Sequence, residues 1–283
     1  MNNEVIIEFW GVRGSVPSPG PNTIKYGGNT SCVSITHKNK VLILDAGTGI
    51  RDLGTELIKS PEKDIFILLS HSHWDHIQGF PFFKPIYQPG RSVYMFPTLL
   101  KKNVILSSLV EQMDGVHFPL TPDQVPSNFD FITNNPLDFL AKHGFNIIPV
   151  HLNHPGGAMG FNVRVQNKLI CYFTDNEINP PYPKNIEYHK LIEECQNADI
   201  LIHDAQYIEE DMQIKHGWGH SIIREVSKLG HDAGVKNIIY FHHEPERTDD
   251  EIDEFAKIES DWLKNKNSQT NPIFSYEGLK ITL

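Results

Sequence analysis

The sequence predicts an α/β (α+β) fold, a four-layer αββα sandwich, and three observations lead there. Short apolar, β-rich runs recur along the whole chain. The early ones are joined by hairpin-length connections and the later ones by amphipathic helical stretches, the pattern of mixed sheets covered by helices. Residues able to hold a metal stand just past the ends of several of these runs.

In chain order, strands are expected at 5–10, 40–45, 65–70, 145–150, 161–165, 169–173, 200–203 and 237–241, each rich in Val, Ile, Leu, Phe or Tyr. Helices are expected at 50–59 and 221–229. In the second, Ile222, Ile223, Val226 and Leu229 share one face, with Ser221 as the N-cap. Thr248-Asp249-Asp250-Glu251 is a capping box that opens a last helix. The Pro-rich region 81–149 has little periodicity and reads as a loop-rich insertion with one helix near 98–112.

No Ser/Gly linker or low-complexity tract divides the 283 residues, so one domain over 1–283 is expected. The formal net charge of −10 argues against a long nucleic acid as partner, because phosphate neutralisation calls for a basic face. Val5–Trp10 is too short for a signal core or a membrane span, and the expected compartment is the cytoplasm, with no membrane partner. Cys32, Cys171 and Cys195 form no C-x-x-C pair and read as core residues.

Function is written most densely in His71-x-His73-x-Asp75-His76, which follows the apolar run 65–69. Imidazole and carboxylate suit zinc and related divalent ions, and four such groups are too many for one open catalytic ion, so two metals are expected. Further ligands should also lie beyond strand ends. His154 follows 147–150 in an Asn-His-Pro-Gly-Gly stretch, Asp175 ends 170–174, and His242 and His243 end 238–241. His203 and His216 read as structural. No G-x-x-x-x-G-K is present, so a P-loop is excluded.

This ordered series resembles the ligand set of the metallo-β-lactamase superfamily, and the resemblance spans nearly the whole chain. It implies the metallo-β-lactamase sandwich, with His71, His73 and His154 on one metal, Asp75, His76 and His242 on the other, and Asp175 bridging. It implies two Zn²⁺ per subunit, Mn²⁺ being the alternative. His242 is preferred over His243 because it directly follows the strand. Asp45, before Ala46-Gly47-Thr48-Gly49, resembles the aspartate that orients such a site from behind. His73 stands where the oxygen-reducing branch has an acid, which points to hydrolytic chemistry.

Leu201-Ile202-His203-Asp204-Ala205 followed by Gly217-Trp218-Gly219-His220-Ser221 resembles the paired motifs of the tRNA 3′-processing ribonuclease (RNase Z) group, with Asp204 in place of glutamate and Gln206 in place of threonine. The resemblance makes His220, positioned by Asp204, a general acid, and Asp75 an orienter of the attacking water. The Gly-rich opening 11–17 with 26–31 resembles the same branch, and Arg13, Ser15 and Asn29 are its candidate phosphate donors. The long basic arm of the tRNA enzymes has no room in 155–174. The whole pattern is most similar to bacterial and phage cyclic-nucleotide phosphodiesterases of the anti-Pycsar type. It implies a homodimer that hydrolyses 3′,5′-cyclic nucleotides to 5′-monophosphates. The competing readings are a nuclease or phosphodiesterase for other small cyclic phosphates, a thioesterase or lactamase-like hydrolase, and a non-catalytic nucleotide-binding protein.

Overall fold

The computed structural model describes residues 4–60, 63–96, 109 and 111–283. Its first sheet contains β1 (Val5–Gly11), β2 (Cys32–His37), β3 (Lys40–Leu44), β4 (Asp64–Leu68), β5 (Ser92–Phe96) and β6 (Asn128–Phe131), with β13 (Lys280–Thr282) added outside β1. The second contains β7 (Asn146–Leu152), β8 (Ala158–Val165), β9 (Lys168–Phe173), β10 (Ile200–Asp204), β11 (Asn237–Phe241) and β12 (Asn271–Phe274). In both, a three-stranded antiparallel meander runs into parallel strands. Parallel neighbours require crossovers, so the loops leaving β3, β4, β9, β10 and β11 all emerge from carboxyl ends, where open α/β sheets place their ligands.

The strands read as continuous apolar runs because both faces are covered. Leu42, Leu44 and Phe66 point between the sheets, against Phe161, Tyr172, Ile202 and Phe241. Their neighbours Val41, Ile43, Ile65 and Ile67 point outward onto Ile50, Leu53 and Leu57 of α1 (Ile50–Leu57). The outer face of the second sheet, through Cys171, Leu201, Ile238 and Tyr240, meets three helices. These are α4 (Tyr188–Cys195), α6 (Ile223–Asp232) and α7 (Asp249–Asn265), the short α5 (Met212–Lys215) lying between the first two in the chain. The result is the four-layer αββα sandwich expected. All three cysteines are buried, and burial pushes their thiols up, Cys195 to about 12.

Local differences have local causes. Thr248 caps α7 through the expected box: its Oγ1 accepts from the Glu251 N–H and the Glu251 carboxylate accepts from its N–H. Ser221, expected as a cap, is not one: its hydroxyl donates to the Asn176 carbonyl, and α6 begins two residues later. Region 81–149 is more regular than expected. There β5 and β6 extend the first sheet by parallel pairing, and α3 (Pro136–Lys142) packs near β7. Most of the helix expected near 98–112 lies outside the described residues. Among the described residues, no helix is long and apolar enough to cross a membrane.

Candidate metal centre

The loop after β4 places His71, His73, Asp75 and His76 together by folding into one short helix, α2 (Trp74–Ile77). From the second sheet, His154 follows β7, Asp175 follows β9 and His242 follows β11. Asp175 and His242 both take positive φ, 53° and 62°, as does Asp45 after β3 at 62°. Such left-handed turns cost non-glycine residues about 1–3 kcal/mol and persist where the surroundings over-determine them. Each turns its side chain off the strand end into the shared interior.

Two four-residue groups result, each with donor atoms within 4.8 Å of one another: His71, His73, His154 and Asp175, and Asp75, His76, Asp175 and His242; a third of the same span, Asp204, His220 and His242, overlaps the second. Asp175 belongs to both of the first two, one oxygen to each. Its Oδ1 is 3.6 Å from His71 Nε2 and 3.9 Å from His154 Nε2, while its Oδ2 is 3.1 Å from His76 Nε2 and 3.4 Å from His242 Nε2. Asp75 Oδ2 lies 3.0 Å from His242 Nε2 and accepts the Ser15 N–H at 2.7 Å.

The far ring nitrogens are committed, which fixes the tautomers. His76 Nδ1–H donates to Asp45 at 2.8 Å, His71 Nδ1–H to Ser70 Oγ at 3.0 Å, His154 Nδ1–H to the Gly219 carbonyl at 3.0 Å, and His242 Nδ1–H to Gln206 Oε1 at 2.9 Å. Their Nε2 lone pairs therefore converge. Asp45 is fully buried and also accepts from Ser70 N, Ser70 Oγ and the Tyr172 hydroxyl.

The residues fit a pair of cations. The buried Nε2 atoms of His71 and His76 have no hydrogen-bond partner. Burial pulls the His154 imidazole down to about 4 and lowers His71 and His73 as well, a direction that favours the lone-pair form a metal takes. Three buried carboxylates, Asp45, Asp75 and Asp175, have no Lys or Arg partner among the described residues. Burial opposes charge on His76, yet Asp175, Asp75 and Asp45 outweigh it and raise that imidazole. Buried anions demand compensation of this kind, and the clusters are consistent with a dinuclear metal site.

Beside them, His220 Nδ1–H donates to Asp204 Oδ2 at 2.7 Å, leaving Nε2 available to a substrate. Asp204 also accepts from the N–H groups of Gln206 and Asn176. Burial, with Asp175 close by, pushes the Asp204 carboxyl up; burial lowers His220 against the pull of Asp175 and Asp75. The loop carrying His220 is pinned by Glu177, whose carboxylate takes the N–H groups of Gly217 and Gly219 at 2.9 and 3.0 Å. Gly219, at φ 96°, lies so close that a Cβ would fall 2.2 Å from His154 Nδ1.

Other expected residues separate. His243 turns away from the clusters and donates through Nε2 to the Ser275 carbonyl at 2.9 Å. His203 is buried against Asn176 and its own strand, and His216 is exposed. Arg13 is not directed at the centre: its guanidinium is fully buried and donates to the carbonyls of Gly27, Glu244 and Arg247. The Asn29 side chain is likewise held by Glu277 at 3.0 Å. Ser15 alone of the three borders the centre, where its Oγ accepts from Gln206. The glycine-rich opening has a different use, since a Cβ on Gly14 would fall 2.4 Å from His242 Nδ1. Sequence reasoning missed Gln206 as the acceptor for His242, and Glu177, for which no local pattern distinguishes a loop anchor from a surface acid.

Two overlapping His/Asp clusters at the strand ends of an αββα sandwich define a metal-dependent hydrolase. Residues 40–243 match the beta-lactamase superfamily domain, and the chain belongs to that superfamily. A Ribonuclease Z of Streptococcus suis is 24% identical, the match covering 89% of this chain and 93% of that protein. Among solved structures, the metallo-beta-lactamase fold protein YhfI of Bacillus subtilis superposes with a TM-score of 0.67 at 16% identity, over 98% of this chain and 99% of that one. A diphosphatase of the PhnP family gives 0.68 at 15% identity, over 99% and 97%.

Proposed function

We propose that the protein is a dinuclear zinc phosphodiesterase that hydrolyses 3′,5′-cyclic nucleotides to nucleoside 5′-monophosphates. The observation that carries the reading is the Asp204–His220 pair beside a centre whose two halves share Asp175. The imidazole-rich donor set suits zinc. Two ions bound there would supply Lewis acidity at a phosphoryl oxygen and a water acidic enough to act near neutrality. Asp75 engages the histidines through Oδ2, so its Oδ1 orients the attacking water. His220, aligned through Nδ1–H by Asp204, would act in its imidazolium form: having taken up a proton at Nε2 from water, it would stabilise charge on the phosphoryl oxygens and give that proton to the departing 3′-oxygen. Amide or thioester hydrolysis does not call for this pair.

The size of the substrate follows from what lies between His154 and Asp175. That interval is filled by the β8–β9 hairpin, with no room for an arm that grips a folded RNA. Together with the net charge of −10, this favours a compact phosphodiester over tRNA, even though the relative named above is a Ribonuclease Z. The same resemblance carries a homodimer, which light scattering tests. The deciding experiment assays the zinc-loaded protein on cyclic nucleotides, a generic phosphodiester, short RNA and a thioester, with products identified. The expected product is the 5′-monophosphate. Faster turnover of the thioester or RNA overturns the reading, and so does cyclic nucleotide recovered intact after long incubation.

A further inference from the structure

The geometry points to the cleft behind α2 as the pocket for the nucleobase, a specificity site that rests on the phosphodiesterase reading. The turn Trp74–Ile77 has two faces. Asp75 and His76 are buried toward the metal clusters, whereas Trp74, Ile77 and Gln78, spaced as neighbours on a helix surface, line a cleft of about 590 Å³ on the other side. That volume falls in the range of small-ligand pockets.

Its walls carry what a flat heteroaromatic ring needs. Trp74 is 68% exposed and Phe82 56% exposed, although both are large apolar rings that folding would otherwise bury. Phe82 meets Phe118 edge to face, with centroids 5.6 Å apart, so the floor is itself aromatic. Gln78 and Glu111 also line the cleft; the Gln78 amide nitrogen donates to Thr30 Oγ1 at 3.4 Å, which leaves the Gln78 oxygen and the Glu111 carboxylate as acceptors for ring N–H groups. The cleft neighbours the metal centre along the chain at one place. Ser72 and Trp74 both line it and flank His73, the exposed member of the first cluster. A phosphate at the clusters can thus extend its ribose over His73 and stack its base on Trp74. A second copy of this chain covering the rings is the competing occupant; a concave cleft of this volume favours a small ligand over a subunit face.

The test uses the full-length zinc-loaded protein. Base stacking on an aromatic is worth about 1–3 kcal/mol by alanine substitution, so Trp74→Ala should raise KM for a cyclic nucleotide about tenfold or more. kcat and zinc content should hold, Trp74→Phe should restore most of the affinity, and KM for a base-free cyclic phosphodiester should not move. Quenching of tryptophan fluorescence by a free nucleoside, absent in Trp74→Ala, reads the pocket without any hydrolysis. Nucleoside binding without cyclic-nucleotide turnover would keep the pocket and sink the phosphodiesterase reading. Turnover with unchanged KM in Trp74→Ala overturns the pocket and leaves that reading standing. A change in molar mass on Trp74→Ala or Phe82→Ala with KM unchanged assigns the rings to a contact between copies and overturns it too.

Discussion

The two halves of the molecule are built alike and used differently. Each lays down an antiparallel meander followed by parallel strands, and each places an aspartate with positive φ after its third strand, Asp45 in the first half and Asp175 in the second. Asp45 spends its oxygens on protein donors: Ser70 N, Ser70 Oγ, Tyr172 Oη and His76 Nδ1. Asp175 takes the Thr174 hydroxyl and otherwise faces the inner nitrogens of four histidines, with His220 Nδ1 a fifth at 4.0 Å. The same turn at equivalent positions thus gives an orienting residue in one half and a shared one in the other. What decides is the opposite sheet. Tyr172 of β9 reaches across to Asp45, whereas the loop after β4 presents His71 and His76 to Asp175.

The two aspartates should therefore fail differently. Asp175→Ala removes one oxygen from each cluster and leaves two cations poorly neutralised, so both metals should be lost and activity should fall to background, roughly 10⁴-fold or more. Elemental analysis of metal per chain decides the point; retention of both ions refutes the shared role. His220→Ala should lower the rate by about 10²–10⁴ with metal content intact, because its ring gives its short hydrogen bond to Asp204 and stands 4.0 Å from Asp175 Oδ1, beyond hydrogen-bond reach of the shared carboxylate. Normal turnover in that variant removes His220 from the chemistry.

Asp45→Asn should keep both metals at saturation. It replaces a carboxylate with a near-isosteric amide, so three of the four donors can still be accepted, but His76 loses the charge that raises its basicity. Metal affinity should drop about 10–100-fold, the range for second-layer partners of ligating histidines, as read by competition with a chelator. Tyr172 sharpens the comparison. Burial and Asp45 hold its phenol protonated well above the usual range, so it remains a donor, and Asp45→Asn should relax that shift.

The site was more legible than its supports, for a physical reason. Metal ligands must be His or Asp and must leave strand ends, and both constraints are visible in His71–His76, His154, Asp175 and His242. The partners of Arg13 and Asn29 are Gly27, Glu244, Arg247 and Glu277, mostly distant in sequence and engaged largely through backbone carbonyls that no local pattern marks. Strand β6 was illegible because it is a four-residue edge strand with half its residues exposed, and β5, one place further in, is a short run inside the Pro-rich stretch. The sandwich itself was legible from runs such as 65–69, since only a strand covered on both faces is apolar throughout.

The last test sets one histidine of each half against the other. His76 is oriented by a carboxylate, His242 by the amide oxygen of Gln206, whose nitrogen in turn donates to Glu244 Oε2 at 2.8 Å, with Lys215 on the other Glu244 oxygen at 2.9 Å. An uncharged acceptor adds less to imidazole basicity than a carboxylate, so Gln206→Ala should weaken metal binding by only about tenfold, the low end of the range for such partners. Gln206→Glu should not recover a carboxylate's advantage, because the new charge would face Glu244 at hydrogen-bond distance and repel it. Lowering metal affinity by Gln206→Ala as far as by Asp45→Asn would show that holding the ring, and not charging it, is what both halves supply. His243→Ala is the matched control beside it: its ring bonds Ser275, so the metal count should stay unchanged while the freed carbonyl costs about 1–3 kcal/mol of stability in denaturant unfolding.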